Sequence, residues 1–510
     1  MRTLDEREEK KRTNNDLHKD KQRYFTIWRW HFYAGMFVAP FLIVLACTGL
    51  AMMIISLTTG RFNDRISVES QANEPLPLST QAQHALDTLP HSSLTQYIAP
   101  QTDSTVALFK IKAQDIDNFV AINPYSGEVV RTTASEGHLY HLFERIHGDL
   151  LIGPIGDFIL ETAASLTILL ILTGIYLWWH KRKSVRKMLI PNTINTKQKR
   201  NLFRTIHATL GSWVAVVLLF FCLTGLAWAG IWGGKLVQAW SQFPTGKWGN
   251  EPTPLSINPD APAQPMTMSA PKPHVHGQAN HDEHDDMTTH THGEVLNAGG
   301  TKEVPWVLEL TPMPKSGTTL GDAGIASGVP ITIDTVDRYA REIGFEGRYQ
   351  LNLPQGDTGV WTLSQDSMSY DMDNPFADRT VHIDRYSGNV LADIRFEDYN
   401  LFGKFMAAGI ALHMGTLGWL SVLANVLFCL SVITICLSGY VLWWIRRPSK
   451  SEALSLNPPP FSNGPALWGF SLLLLLVAIL FPAAILSIIA IALIDFVIVS
   501  RSSRLKRLLK

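Results

Sequence analysis

Apolar residues along this chain gather in runs rather than in the short alternations of a soluble core. Mostly apolar stretches near 32–57, 158–179, 207–232 and 416–445 match the ~20 helical residues that cross a hydrocarbon core. A fifth block, 466–499, is too long for one crossing, and Phe481-Pro482 near its middle predicts a tight hairpin of two. Six crossings are expected. The long segments between runs have a different grammar: LSTQAQHALDTL reads as helix, STVALFKIK and NFVAINP read as strands, and Tyr125-Ser126-Gly127 makes a turn into EVVRT.

That order recurs. RTVHIDRYSGNVLADI aligns with DNFVAINPYSGEVVRT, sharing V-x-I-x-x-Y-S-G-x-V, and a helix, IDTVDRYAREIG, precedes it. The spans repeat as well. His31 is followed seventeen and eighteen residues later by Thr48-Gly49, and His207 at the same spacing by Thr224-Gly225. His147 stands 27 residues before Gly174 of Thr173-Gly174, and His413 stands 26 before Gly439 of Ser438-Gly439. The unit of helix, external domain and helix is therefore duplicated. Both copies run the same way through the bilayer, so the axis relating them lies along the membrane normal.

Charge adds orientation. Lys and Arg total 44 and Asp and Glu 44, a balance that in itself says nothing about partners, and no nucleic-acid partner is expected. The basic residues crowd the segment before the first span, the 181–204 loop, Arg446-Arg447 and the last ten residues. By the positive-inside rule these lie in the cytoplasm. Both termini are then cytoplasmic, the long loops face the periplasm of a bacterial cell, and the first span is a retained anchor. The expected division is a tail 1–30, a span 31–57, an external domain 58–146, a span 147–180, a loop 181–206 and a span 207–232. A second external domain 233–404, a span 405–446, a loop 447–465, a hairpin 466–499 and a tail 500–510 complete it. Cys47, Cys222, Cys429 and Cys436 all fall in spans, where thiols act as small apolar packers.

Symmetry puts His31 and His207 at one depth and His147 and His413 at another. An ionisable side chain at membrane depth is costly without a partner, and an imidazole bound to a metal has one. Two imidazoles on neighbouring helices can clamp a flat iron porphyrin between them. Two such clamps would form an electron path across the membrane. His138, His141 and His180 are second-choice ligands, because none has a counterpart in the other repeat. The second external domain carries an insertion, 271–293, with His274, His276, His281, His284, His290 and His292 among acidic residues, Pro and Gly. Such a tract cannot pack a core, and it could hold Zn, Cu, Ni or Fe loosely. No G-x-G-x-x-G after a strand, no phosphate-binding G-x-x-x-x-G-K-S/T, no H-E-x-x-H and no G-x-S-x-G occurs. Any electrons must come from another molecule.

The Y-S-G turns, the H-G-D-L-L-I-G and H-M-G-T-L-G segments and the helix ends in G-x-x-L-W-W resemble the PepSY-associated transmembrane helix family, often described as iron-regulated membrane proteins. The resemblance covers most of residues 20–448. It implies a membrane α-helical bundle: a four-helix heme-binding core built from two parallel repeats, plus the C-terminal hairpin, with two periplasmic α+β PepSY-like domains. It further implies an inner-membrane ferric-siderophore reductase of the ferrioxamine-reductase type with two b-type hemes. His31 and His207 would ligate the cytoplasmic-side heme and His147 and His413 the periplasmic-side one. A cytoplasmic or quinol donor would supply electrons to a ferric siderophore or other metal chelate. Two other classes fit the same residues: a heme-free metal or siderophore transporter, and a membrane-anchored PepSY binding or protease-modulating module.

Overall fold

The computed structural model describes residues 2–69, 74–114, 116–191, 198–233, 256, 323–357, 359–398, 401–447, 459 and 468–493. The six histidines of the 271–293 insertion lie outside the described residues. The chain opens with α1 (Arg2–Thr58), whose second half is the first apolar run. The first external unit follows as α2 (Leu78–Asp87) and strands β1 (Ser92–Ile98), β2 (Ala107–Ala113), β3 (Ile116–Ile122) and β4 (Val129–Ala134). Next come α3 (Leu139–Asp149), α4 (Pro154–Arg182), a short α5 (Val185–Leu189) and α6 (Lys199–Leu226). The second external unit is α7 (Ile333–Glu342) with β5 (Gln350–Asn352), β6 (Trp361–Gln365), β7 (Arg379–Ile383) and β8 (Val390–Arg395). Helices α8 (Leu401–Met414), α9 (Gly418–Arg446), α10 (Trp468–Leu480) and α11 (Ala484–Ala492) close the described chain.

Helices α1, α4, α6 and α9 are long and apolar enough to cross a membrane. They pack as a ring in which α1 touches α4 and α9, and α6 touches the same two, so α1 and α6 face each other diagonally. The layer midway along the bundle is apolar: Leu42 and Ala46 of α1 meet Leu218 of α6 and Cys429 and Val432 of α9.

Three expectations about the helices change. First, His147 and His413 do not sit on the spanning helices. Leu150 and Leu151 take left-handed backbone (φ 54° and 62°), ending α3 before Pro154 starts α4. Gly415 and Gly418, with φ of 78° and 72°, make the equivalent break between α8 and α9. Second, the third span ends at Leu226. The chain turns back there because Asp157 and Glu161 of α4 accept hydrogen bonds from the backbone N–H groups of Gly230, Ile231 and Trp232 at 2.9–3.0 Å, which satisfies carboxylates otherwise costly at this depth. Third, the terminal hairpin turns at Phe481-Pro482 as predicted, but its described helices have only 13 and 9 residues. Thr162 donates to the Ala483 carbonyl at 3.1 Å, eight residues or about 12 Å along α4 at ~1.5 Å per residue. The hairpin thus docks on the flank of the bundle short of the sheet-side end of α4.

The two external units are not separate domains side by side. Their strands form one antiparallel sheet of eight, ordered β4-β3-β2-β1-β5-β6-β7-β8. The seam is the β1–β5 pair, with Tyr97 opposite Leu351. Alternation along each strand sends one set of side chains to each face. Tyr97, Phe109, Ile111 and Val120, with Leu351, Leu363, Val381 and Ile383, pack under Ala82 and Ala85 of α2 and Val336 and Ala340 of α7. The other face turns to the bundle, with Ile98, Leu108 and Phe119 against Phe62. The Y-S-G turns match closely: Gly127 and Gly388 have φ of 73° and 72°, and the Tyr125 and Tyr386 hydroxyls donate to the Asp103 and Asp357 carbonyls.

One asymmetry stands out. Two residues join β2 to β3, whereas thirteen, 366–378, join β6 to β7. This loop wedges between sheet and bundle, with Met368 against Ala227 and Ile410 and Tyr370 edge-on to Tyr140 at 6.4 Å. It brings buried charge: Arg348 bridges Asp64 and Asp371, the latter at 3.2 Å. Burial, then the neighbouring Asp366 carboxylate, pushes the Asp378 carboxyl up to about 8. A carboxyl whose folded value is raised adds stability that is full below the unfolded value of about 4 and is lost as pH rises through the folded value. Thermal unfolding of the full chain in detergent should therefore fall in midpoint between about pH 5 and about pH 8.5. Burial raises the Asp366 and Asp371 carboxyls as well, so Asp378→Asn, neutral throughout and still able to accept from the Ser367 N–H, should lessen that slope without removing it; an unchanged slope in the variant would refute the assignment.

Candidate functional site

The four histidines that recur in both repeats meet as two pairs, each with one ring from each half of the chain. His31 of α1 and His207 of α6 have ring centroids 6.3 Å apart at the bundle end away from the sheet, with planes at 88°. His147 of α3 and His413 of α8 have centroids 6.5 Å apart at the sheet-side end, with planes at 86°. Seventeen residues of α1, about 25 Å at ~1.5 Å per residue, separate His31 from Thr48, which marks the level of the second pair.

Each ring is seated by a hydroxyl on a spanning helix. His31 Nδ1 lies 2.9 Å from Thr173 Oγ1 and His147 Nδ1 lies 2.8 Å from Thr48 Oγ1. His413 Nδ1 lies 2.8 Å from Thr224 Oγ1, and His207 Nδ1 lies 3.2 Å from Ser438 Oγ. The tautomers follow from where these hydroxyl protons go. Thr48, Thr173 and Thr224 donate to the carbonyls of Val44, Leu169 and Phe220 at 2.7–2.9 Å, as Ser438 does to Ile435 at 2.8 Å. A hydroxyl that has given its one proton to a carbonyl can only accept, so each imidazole carries its proton on Nδ1. His207 shows this directly, since its Nδ1 also faces the Ile435 carbonyl at 3.0 Å. Every Nε2 therefore presents a lone pair, and among the described residues none of the four has a hydrogen-bond partner.

The glycine after each hydroxyl makes room for the ring. A Cβ on Gly174 would stand 3.1 Å from His31 Cε1, and on Gly225 and Gly439 3.4 Å from the Cε1 of His413 and His207. On Gly49 it would stand 3.7 Å from His147 Cε1. The Thr-Gly spacing visible in the sequence thus has a different meaning from helix approach alone. Within each repeat three helices are tied together: α1 offers His31 to Thr173-Gly174 of α4 and receives His147 of α3 on Thr48-Gly49, while α6 offers His207 to Ser438-Gly439 of α9 and receives His413 of α8 on Thr224-Gly225.

Imidazoles oriented by a hydrogen bond at one nitrogen and open at the other are the arrangement of metal-ligating histidines. Among the described residues no group of three or more His, Cys, Asp or Glu is placed to hold a metal ion. Two imidazoles alone fall short of the three or four protein ligands of a zinc site, so a metal held here must bring its other ligands. A porphyrin iron does so. Two rings bound through Nε2 on opposite sides of one metal, with bonds of about 2 Å, have centroids about 6 Å apart, which fits both pairs.

The second-choice ligands stay apart from this arrangement. His138 is buried beneath the sheet against Phe62 and Phe119, and desolvation draws its imidazole down to about 4, partly offset by Asp64. His141 lies one turn beyond it on α3, outside both pairs. His180 is exposed at the end of α4 between Tyr24 and Tyr176. The cysteines are free thiols, three of them buried and Cys47 exposed.

Residues 28–446 match the PepSY-associated TM region family. The chain belongs to that family. No curated protein compared with it matches. The PepSY-associated region begins three residues before His31 and ends at the last residue of α9, so it takes in all four histidines and all four seats. It leaves the α10–α11 hairpin outside.

Sequence reasoning missed the seats, although the signal was there: a hydroxyl residue followed by glycine occurs on every spanning helix, each time about one helix length from a histidine. Packing decides how each glycine tolerates a side chain. Gly174→Ala, set against a His31 ring that Thr173 holds fast, should lower the thermal midpoint of the detergent-purified chain. Gly49→Ala has ordinary contact distance and gains up to about 1 kcal/mol of helix propensity, so it should be neutral or stabilising. The reverse order in thermal melts would show that the glycines do not serve as ring seats.

Proposed function

We propose that the protein is a di-heme electron conduit of the bacterial inner membrane that reduces a ferric chelate, such as a ferric siderophore, in the periplasm. The observation that carries this reading is the double pairing of histidines, each ring fixed in the same tautomer and each pair spaced for one metal. A b-type heme at each pair would supply one-electron redox chemistry. His31 and His207 would hold the heme nearer the cytoplasm, and His147 and His413 the one nearer the periplasm.

The remaining residues supply what such chemistry requires of a protein. Thr173, Ser438, Thr48 and Thr224 fix which nitrogen faces the metal and raise its basicity through the Nδ1–H bond. Leu42, Ala46, Leu218, Cys429 and Val432 keep the layer between the pairs dry. The sheet and the 366–378 loop cover the periplasmic-side pair and give the chelate a surface to approach. Ferric ion prefers hard oxygen donors; the ferrous product is held less tightly, so a one-electron reduction releases it. The donor would be a cytoplasmic reductant or a membrane quinol.

Purified protein from heme-replete cells should show a sharp Soret band with two hemes per chain. His31→Ala and His147→Ala should each lose about half, and the double variant nearly all. Thr173→Val and Thr48→Val should keep the ligands but weaken heme retention by ~10–100-fold, the usual cost of removing such a partner. In liposomes with reductant inside and ferric chelate outside, either histidine variant should abolish ferrous iron release. A colourless wild type would sink the proposal and favour a transporter.

A further inference from the structure

The two histidine pairs differ in the charge around them. At the sheet-side end two cations are matched by acids: Arg61 pairs with Glu144 at 3.3 Å and Arg145 with Asp149 at 3.7 Å. At the far end four cations converge. Helix α6 carries Arg204 three residues and Arg200 seven residues before His207, on the same face of the helix as that ring. The last turns of α4 and α9 bring Lys181 and Arg446 to the same level. Arg204 is an electrostatic neighbour of Tyr24 and Lys181, and Arg200 of Lys181 and Arg446. Arg446 lies over the rings of Phe32 and Trp28 at 4.7 and 5.3 Å, and Lys181 Nζ stands 5.6 Å from the Tyr24 ring centre. Phe32 adjoins His31, and Trp28 and Tyr24 precede it by three and seven residues on α1.

Like charges gathered in this way repel unless an anion joins them. Among the described residues no ion pair joins a carboxylate to Arg200, Arg204 or Lys181; the nearby Asp20 pairs with Arg23 at 3.5 Å. Arg204 Nε is shut away from solvent without a hydrogen-bond partner. Arg204 as a whole is half-buried, whereas Arg200 and Lys181 are exposed, and a basic bundle end also attracts anionic lipid. A guanidinium fork matches a carboxylate with two parallel hydrogen bonds.

We propose that Arg204 and Arg200, assisted by Lys181, form the receptor for the carboxylate side chains of a tetrapyrrole clamped between His31 and His207. The inference rests on the di-heme reading. It assigns the distal pair a dianionic macrocycle entering with its carboxylates toward the cytoplasmic face, and it makes the arginines positioning residues rather than ligands.

The test isolates the distal pair in the full chain carrying His147→Ala and His413→Ala, purified without heme. This chain is titrated by absorbance with ferric protoporphyrin and, separately, with its dimethyl ester, which keeps the ring and iron but lacks the charges. The diacid should bind about tenfold or more tightly than the diester, as expected for charge-assisted hydrogen bonds. Adding Arg200→Gln and Arg204→Gln should erase that preference while leaving diester affinity within about twofold, which shows the clamp intact; Arg204→Lys in place of Gln should restore part of it. Equal affinity of the two porphyrins in the parent, or a parallel loss of both in the arginine variant, would overturn the proposal. So would a preference abolished by adding phosphatidylglycerol micelles, which would assign the arginines to lipid phosphate. If neither porphyrin binds the parent, the di-heme reading itself has failed.

Discussion

The structure depends on a hydrogen bond made four times, from an imidazole Nδ1–H to a hydroxyl oxygen that has already spent its own proton on the helix beneath it. A histidine inside a membrane bundle must resolve which nitrogen carries its proton and what the other one does. Here the first question is settled by the helix backbone, because Thr48, Thr173, Thr224 and Ser438 have nothing left to donate. The second question then has a narrow answer: an Nε2 lone pair needs a proton donor or a metal. Each bond also ties two helices of one repeat, so the feature that fixes the chemistry fixes the packing as well.

Two kinds of symmetry meet at these bonds. Within a repeat, the first spanning helix gives a ring to the second and takes one from the short helix that precedes the second. Between repeats, rings from opposite halves meet in pairs, and the β1–β5 seam joins the external strands into one sheet. The bundle and the sheet therefore share the relation between halves, and the glycines beside the hydroxyls allow the rings to approach without distorting a helix. Where the halves differ, the difference has a place: the 366–378 loop lies at one end, and the surplus of cations at the other.

Much of this was legible from residues alone. The duplication, the four spans and the two histidine pairs follow from spacing, because period and repetition survive whatever the side chains later touch. The seating of the rings did not follow. A threonine before a glycine in an apolar run reads equally as a place where helices come close, and only the packed bundle shows which ring it receives. The break that puts His147 on α3 rests on left-handed backbone at two leucines, which leucine itself does not favour; Gly153-Pro154 just beyond them is the local signal of it. The merged sheet was hidden for a related reason: β5 is three residues long, and its pairing with β1 spans more than two hundred residues of sequence. The early end of α6 is set by Asp157 and Glu161, carboxylates whose hydrogen-bond partners lie some seventy residues away.

The pairing of rings across the halves sets an order of events during synthesis. His147 has its seat on Thr48 as soon as the first repeat is made, yet its partner His413 emerges only after the second sheet half has been translated. His31 meets His207 sooner, but the helix that seats His207 is the last of the four spans. The first repeat can orient its two imidazoles alone, though it cannot close either pair. Neither pair is therefore complete until the second repeat is under way, and a chain interrupted before α8 would carry an oriented His147 with nothing opposite it at the sheet-side end.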